Sequence, residues 1–181
     1  TTVWDLGSDP RDTLPLRTRI AAGEIAGPNI FSLGSIFPKD GHPVYLPAEL
    51  QLPEAATPDE ATKLATMWMG LGLDGVKLFT GSYKGEDKPV VNMDADIAKA
   101  AVDVAHAAGK PVFAHPQNTA GIDAVIAAGV DVMAHAVTRQ TGYTAEQLAH
   151  FKRQNIALIP TFSVFAKLPV PAAIGARIID N

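Results

Sequence analysis

Two stretches of this chain share one frame, and that frame restricts the fold more than any other feature. Ala107-Ala108-Gly109 is followed by four residues and then Ala114-His115, and Ala127-Ala128-Gly129 is followed by four residues and then Ala134-His135. Each reads as a helix that ends in Ala-Ala-Gly and feeds a short apolar strand ending in Ala-His. Glycine suits the left-handed turn that closes a helix. Successive βα units lay their strands side by side, so the two imidazoles should converge on one spot. A third apolar run, Gly75-Val76-Lys77-Leu78-Phe79, puts a lysine where a charge is costly to bury.

The same alternation runs through the rest of the chain. Residues 1–7 read as a strand, and residues 11–26 as a helix with an apolar face of Leu16, Ile20 and Ile25. Asn29 to Phe37 is the next strand. Residues 38–55, with His42 and Tyr45, form the longest loop-like stretch, and a long loop in a compact domain is often functional. Thr57-Pro58-Asp59-Glu60 is a capping box that starts a helix reaching about Gly70. Val76 to Thr80 is a strand, followed by a polar loop. Asp94 or Asp96 caps a helix whose inward face is Ile97, Ala101, Val104 and Ala108. Val112 to Ala114 is a strand, Thr119 to Ala128 a helix, and Val130 to Ala134 a strand. A second capping box at Thr144-Ala145-Glu146-Gln147 opens a helix, Ile156 to Ile159 is the sixth strand, and a further helix starts within residues 164–181.

Short apolar strands alternating with helices call for a parallel sheet covered by helices. A doubly wound sheet and a (β/α)8 barrel both fit. Units of roughly 20–45 residues favour the barrel, in which eight such units take ~250 residues. On that reading residues 1–181 form one incomplete TIM-like barrel domain. Both ends read as cut, since Thr1 opens on a strand-like run and Asn181 follows Ile178-Ile179-Asp180 without a stop signal. Location stays open between cytoplasm and, with a signal peptide removed upstream, periplasm or secretion.

Composition narrows the chemistry. There is no cysteine among the 181 residues, which excludes disulfides and thiolate ligands. A net charge of −4 offers no basic excess for a nucleic acid. No apolar run reaches the ~18 residues of a membrane span. No glycine-rich phosphate loop follows any strand. A small-molecule substrate is the expected partner, and self-association is left open.

His115 and His135 end their strands, where barrels carry their reactive groups, and neutral imidazole is a common ligand for zinc and similar metals. The plain alternative is a pair of hydrogen-bonded core histidines. Lys77 has three readings: a lysine reaching water or paired with Asp5, a Schiff-base nucleophile, or an amine of depressed pKa that takes up carbon dioxide as a metal-bridging carbamate. Lys77 follows Gly72 by five residues, whereas each histidine follows its glycine by six. Because side chains alternate along a strand, Lys77 faces them only if its strand begins one residue later. His42, Tyr83, Arg139 and Tyr143 lie in loops after strands and are candidate substrate contacts, the last two for a carboxylate or oxyanion.

With these residues in view the chain resembles the metal-dependent amidohydrolase superfamily, in its imidazolonepropionase-like and Xaa-Pro dipeptidase branch. The similarity runs through Thr1-Thr2-Val3-Trp4-Asp5-Leu6-Gly7, Val76-Lys77-Leu78-Phe79, the run ending at His115, the run ending at His135, and Ile159-Pro160-Thr161. These resemble the family's second, fourth, fifth, sixth and seventh strands. The resemblance implies a deformed (β/α)8 barrel holding one or two divalent metal ions, most simply zinc, with manganese, iron or cobalt as alternatives. It implies N6-carboxylated Lys77, His115 and His135 as ligands, and metal-assisted hydrolysis of an amide, peptide or cyclic amide, or an ester or lactone. The family's His-x-His is absent from this chain, and its eighth-strand aspartate would fall beyond Asn181. Two other expectations remain: a Schiff-base lyase using Lys77, and a non-catalytic barrel module.

Overall fold

The computed structural model describes residues 1–47, 49–50, 52–135 and 143–161. The main strands are β1 (Thr2–Asp5), β2 (Asn29–Pro38), β4 (Gly75–Leu78), β7 (Val112–Ala114), β8 (Val132–Ala134) and β9 (Ala157–Ile159). They pair in the order β1-β2-β4-β7-β8-β9, every pair parallel. Spatial order follows chain order with no reversal, so the doubly wound alternative, which needs a switch point, is not what forms. Three two-residue strands complete the set. β3 (Glu54–Ala55) joins the end of β2, and β5 (Gly81–Ser82) pairs antiparallel with β6 (Val91–Asn92). Among the described residues five helices connect the strands: α1 (Pro10–Ala21), α2 (Pro58–Gly70), α3 (Ala95–Ala107), α4 (Thr119–Ala128) and α5 (Ala145–Gln154); the helix expected within 164–181 lies outside them.

The sheet is curled. Trp4 on β1 and Phe113 on β7 lie three strands apart, roughly 14 Å on a flat sheet, yet their ring centroids are 5.1 Å apart. Leu6, just past β1, and Thr161, just past β9, line one common cavity. The result is a half-barrel of parallel strands with an inner and an outer face.

Side-chain alternation sorts the residues between those faces. Ile36, Val76, Leu78, Val112 and Ala114 point outward into the main core, where they meet Ala61, Ala65 and Trp68 of α2 and Ile97, Ala98, Ala101 and Val102 of α3. Alanines on both helices let them lie close to the sheet. A Cβ at Gly34 would collide with the Trp68 indole, so β2 needs glycine where α2 crosses it. Trp68 Nε1 also donates to the Ser35 carbonyl oxygen at 3.3 Å. Leu33, Ser35 and Phe37, with Lys77, Phe113 and His115, fall on the inner face.

The helix starts at Thr57 and Thr144 follow their sequence signals, while Asp94 stands before α3 without a side-chain cap bond. Thr57 accepts from Glu60 N and Glu60 Oε2 accepts from Ala56 N. Thr144 and Gln147 form the reciprocal capping box. Two details differ from the sequence expectation. Helix α1 ends at Ala21, and Leu16 is 42% exposed, because Thr13, Leu14 and Arg17 take the inward side. The buried stripe of α3 runs through Ile97, Ala98, Ala101, Val102 and Ala105, one step from the predicted face, and Val104 is only partly buried.

Two aspartates lock the end of the sheet away from the cavity. Asp74 Oδ2 accepts from Ser32 N at 3.0 Å and pairs with Arg17 at 2.6 Å. Asp131 Oδ2 accepts from Val112 N at 2.7 Å and lies 2.9 Å from His106 Nε2. Each closes a backbone donor on the preceding strand, which would otherwise be a costly unpaired group.

Candidate metal centre

Lys77, His115 and His135 open onto one cavity of about 410 Å³ at the carboxyl ends of the strands. The register explains how. Lys77 sits beside Phe113, so Lys77 and His115, two residues further along β7, share the inner face. Strand β4 is therefore placed as the Lys77 reading requires.

His135 arrives by a different route. Phe113 pairs with Val132 and Ala114 with Met133, so the two Gly-to-His frames are offset by one residue in space. An unbroken β8 would send His135 outward beside Met133, which packs on Ile122 of α4. Instead His135 has φ 85°, in the left-handed region. That conformation costs a non-glycine residue about 1–3 kcal/mol and is found where surroundings impose it. It ends the alternation and turns the imidazole inward. The His115 and His135 rings then meet edge to face with centroids 5.0 Å apart.

Lys77 is 1% exposed, and its Nζ finds no hydrogen-bond partner among the described residues. It lies 5.6 Å from the centroid of the Phe79 ring. Burial pushes its pKa down to about 7. The pairing with Asp5 considered from sequence does not form: Asp5 accepts from Thr13 Oγ1 at 2.7 Å and from the backbone of Gly7 and Ser8. Burial works to raise the Asp5 carboxyl, and those hydrogen bonds outweigh it, so its pKa is lowered.

The imidazoles are held neutral. Burial, then the neighbouring Lys77 and His135, push His115 down to about 3 against the opposing Gln117 hydrogen bond. Burial and then Lys77 push His135 down to about 4. A cation needs neutral imidazoles and a deprotonated amine, and the lowered Lys77 pKa makes that amine accessible near neutral pH.

Both rings have partners that fix their orientation. His115 Nε2 is 2.9 Å from Gln117 Oε1, an acceptor, so Nε2 carries the proton and Nδ1 the lone pair. His135 Nδ1 is 2.7 Å from Thr161 Oγ1. Gly81 makes room for Gln117, since a Cβ there would lie 2.6 Å from Gln117 N. The sequence reading missed Gln117 and used Thr161 only as part of a strand motif; a polar residue two positions past a strand-end histidine was the available signal. Replacing Gln117 with leucine should weaken zinc binding by about 10–100-fold, the usual effect of losing a partner of a ligating histidine. Competition with a chromophoric chelator measures it, and an unchanged affinity would remove Gln117 from this role.

The loop candidates are placed as follows. His42 Nε2 meets the Pro47 carbonyl at 3.1 Å, and Lys84 Nζ donates to the His42 carbonyl at 2.8 Å. The backbone carbonyl of Tyr83 accepts from Val44 N, and the Tyr83 side chain is half-buried. Tyr143 packs edge-on against Phe151 beneath α4 and α5. Arg139 lies outside the described residues. None of His42, Tyr83 and Tyr143 lines the cavity, whose remaining wall includes Leu6, Phe37, Tyr45, Leu46 and Leu52. A larger cavity of about 630 Å³ between α1 and α2 lies away from these groups and is lined by Leu14, Pro15, Met67 and Trp68 among others.

The donor set fits a cation: two neutral imidazoles and one orphaned buried amine meet at one cavity. Among the described residues no group of three or more histidines, aspartates and glutamates gathers. Among the described residues an anionic ligand here would therefore have to come from Lys77 itself.

No protein-family model matches the chain. Uncharacterised proteins of Mycobacterium tuberculosis and Mycobacterium bovis are 31% identical over 137 residues, which is 76% of this chain and 34% of theirs. Among solved structures, a candidate prolidase from Bifidobacterium longum is 28% identical with a TM-score of 0.69, over 90% of this chain and 40% of that one. A Xaa-Pro dipeptidase with methionine in its active site reaches a TM-score of 0.75 at 24% identity, over 94% and 46%. The ochratoxinase of A. niger reaches 0.75 at 22%, over 92% and 42%. The chain thus spans about a third of its curated relatives and under half of these solved chains.

Proposed function

We propose that this chain is the metal-binding part of a hydrolase of the metal-dependent amidohydrolase superfamily, acting on an amide, peptide or cyclic amide C–N bond or a related ester. Lys77, His115 and His135 are the ligands, for one or two divalent ions, zinc first. The observation that carries the reading is Lys77: a fully buried amine with no hydrogen-bond partner among the described residues, beside two neutral imidazoles. A neutral amine is the form that adds carbon dioxide, and the carbamate so formed would be the anionic oxygen ligand that the described residues otherwise lack. The solved relatives named as prolidase, Xaa-Pro dipeptidase and ochratoxinase support the same class.

A divalent cation held there supplies a Lewis acid that lowers the pKa of water and polarises the scissile carbonyl. The residues of this chain do the rest. Gln117 and Thr161 orient the rings, the strand ends fix their spacing, and burial keeps both imidazoles unprotonated down to acidic pH. The proton-moving acid is assigned to no residue here. A depressed lysine pKa would also serve a Schiff base, but that chemistry gives the two convergent histidines no task.

The test is chelation. Full-length protein stripped with a chelator should lose amide-hydrolase activity and recover it with zinc and bicarbonate. Activity that survives stripping, or borohydride trapping of a carbonyl ligand on Lys77, would move the reading to the lyase.

A further inference from the structure

The cavity wall opposite the ligands points to what the site accepts. That wall is built by Leu6, Phe37, Tyr45, Leu46 and Leu52. Phe37 stacks on Phe79 with centroids 4.0 Å apart, which closes the floor with aromatic surface. Among the described lining residues Lys77 is the only cation, and its amine is committed to the centre. No aspartate or glutamate lines the cavity among them.

The polar residues of the surrounding loops are spent on holding the wall in place. Lys84 Nζ donates to the His42 carbonyl, the His42 ring meets the Pro47 carbonyl, and Ser82 Oγ donates to the Gly41 carbonyl. The loop backbone is tied further by Val44 N to the Tyr83 carbonyl and by Lys39 N to the Ala55 carbonyl. These bonds fix residues 39–47 over the end of β2 and present Tyr45 and Leu46, with Leu52 from the following segment, to the cavity. A carboxylate brought against this wall would lose its water and gain no counter-charge from the described residues, which is unfavourable.

We infer that the substrate is a neutral amide, urea or carbamate that lays an aliphatic or aromatic group on the wall of Leu6, Phe37, Tyr45, Leu46 and Leu52, and not a dipeptide or acyl amino acid held by a free carboxylate. The inference rests on the hydrolase reading and narrows it. Apolar pockets discriminate modestly for size, whereas a charge buried without a partner is costly.

The test uses zinc-loaded full-length protein and two probes differing only in charge, N-hexanoylaniline and N-hexanoyl-4-aminobenzoate, read by titration calorimetry and by release of the amine. Binding and kcat/KM should favour the neutral anilide at least about tenfold. Leu52→Arg, or Tyr45→Arg in its place, should shrink or reverse that preference by supplying a counter-charge. Preference for the carboxylated probe would overturn the inference and point to Arg139, the cation the sequence offers nearby. A preference unmoved by both arginine variants would also overturn it. If neither probe binds although zinc is present, the substrate inference fails alone. If no zinc binds, the hydrolase reading fails with it.

Discussion

Lys77→Met should make the metal-free protein more stable, and most clearly so at and below neutral pH. The Lys77 pKa is about 7 in the fold against 10.5 for the free side chain. Between those values the unfolded chain holds a proton that the folded chain does not, so wild-type stability rises with pH across that window. Below it the folded protein carries a buried charge with no partner among the described residues, and the penalty is complete. Methionine fills similar space with no charge. Chelator-treated wild type and variant, unfolded in urea at about pH 6 and about pH 9, measure this. The variant midpoint should be higher at the lower pH by the equivalent of several kcal/mol at most, with the gap narrowing at the higher pH. A wild type more stable than the variant at the lower pH would mean that Lys77 has a partner in the folded protein. The same substitution should lower metal binding, so stability and cation affinity move in opposite directions.

His115→Ala should abolish function without unfolding the chain. The His115 ring lies between Phe79, at 5.3 Å, and His135, at 5.0 Å, and Gln117 fixes its tautomer. On the proposed metal site, removing it takes a ligand from the centre of the donor set. If the cation contributes several kcal/mol of transition-state stabilisation, kcat/KM should fall on the order of a thousandfold. Circular dichroism should stay that of the wild type, because the strand ladder through His115 N and the Leu78 carbonyl is backbone only. A variant with near-normal turnover would take His115 out of the centre. Acid gives an independent check on both rings. Their pKa values, about 3 and about 4, lie below the ordinary value of 6.5. The unfolded chain therefore binds protons first, and stability falls as pH drops from 6.5 toward those values.

Much of the scaffold was legible because local signals and tertiary structure agree. The boxes at Thr57 and Thr144 start helices where they stand, and the closing glycines at 109 and 129 take positive φ. The repeated frame did place two histidines together, but not for the simple reason the repeat offers. The neighbouring strands are one residue out of step, and only the left-handed backbone at His135 restores convergence. Register between strands is set by packing of the whole sheet, which a frame within one unit does not encode. The face of α1 was misread for a related reason. At the edge of the sheet, the Arg17–Asp74 pair and Thr13–Asp5 bond orient the helix instead of its leucines. The wall residues Leu46 and Leu52 were invisible because their roles arise from distant segments meeting, whereas Gln117, two residues from His115, was a local signal left unread. His42, chosen for its chemistry, braces a loop through its ring and through the Lys84 bond to its carbonyl.

The central claim is that Lys77, His115 and His135 form one cation site. Elemental analysis of full-length protein purified without chelator, beside Lys77→Met and His115→Ala, tests it most directly. The wild type should carry one to two equivalents of a transition metal per chain, with the content reduced in both variants. No metal in any sample after reconstitution with zinc and bicarbonate would contradict it, and so would full occupancy in both variants.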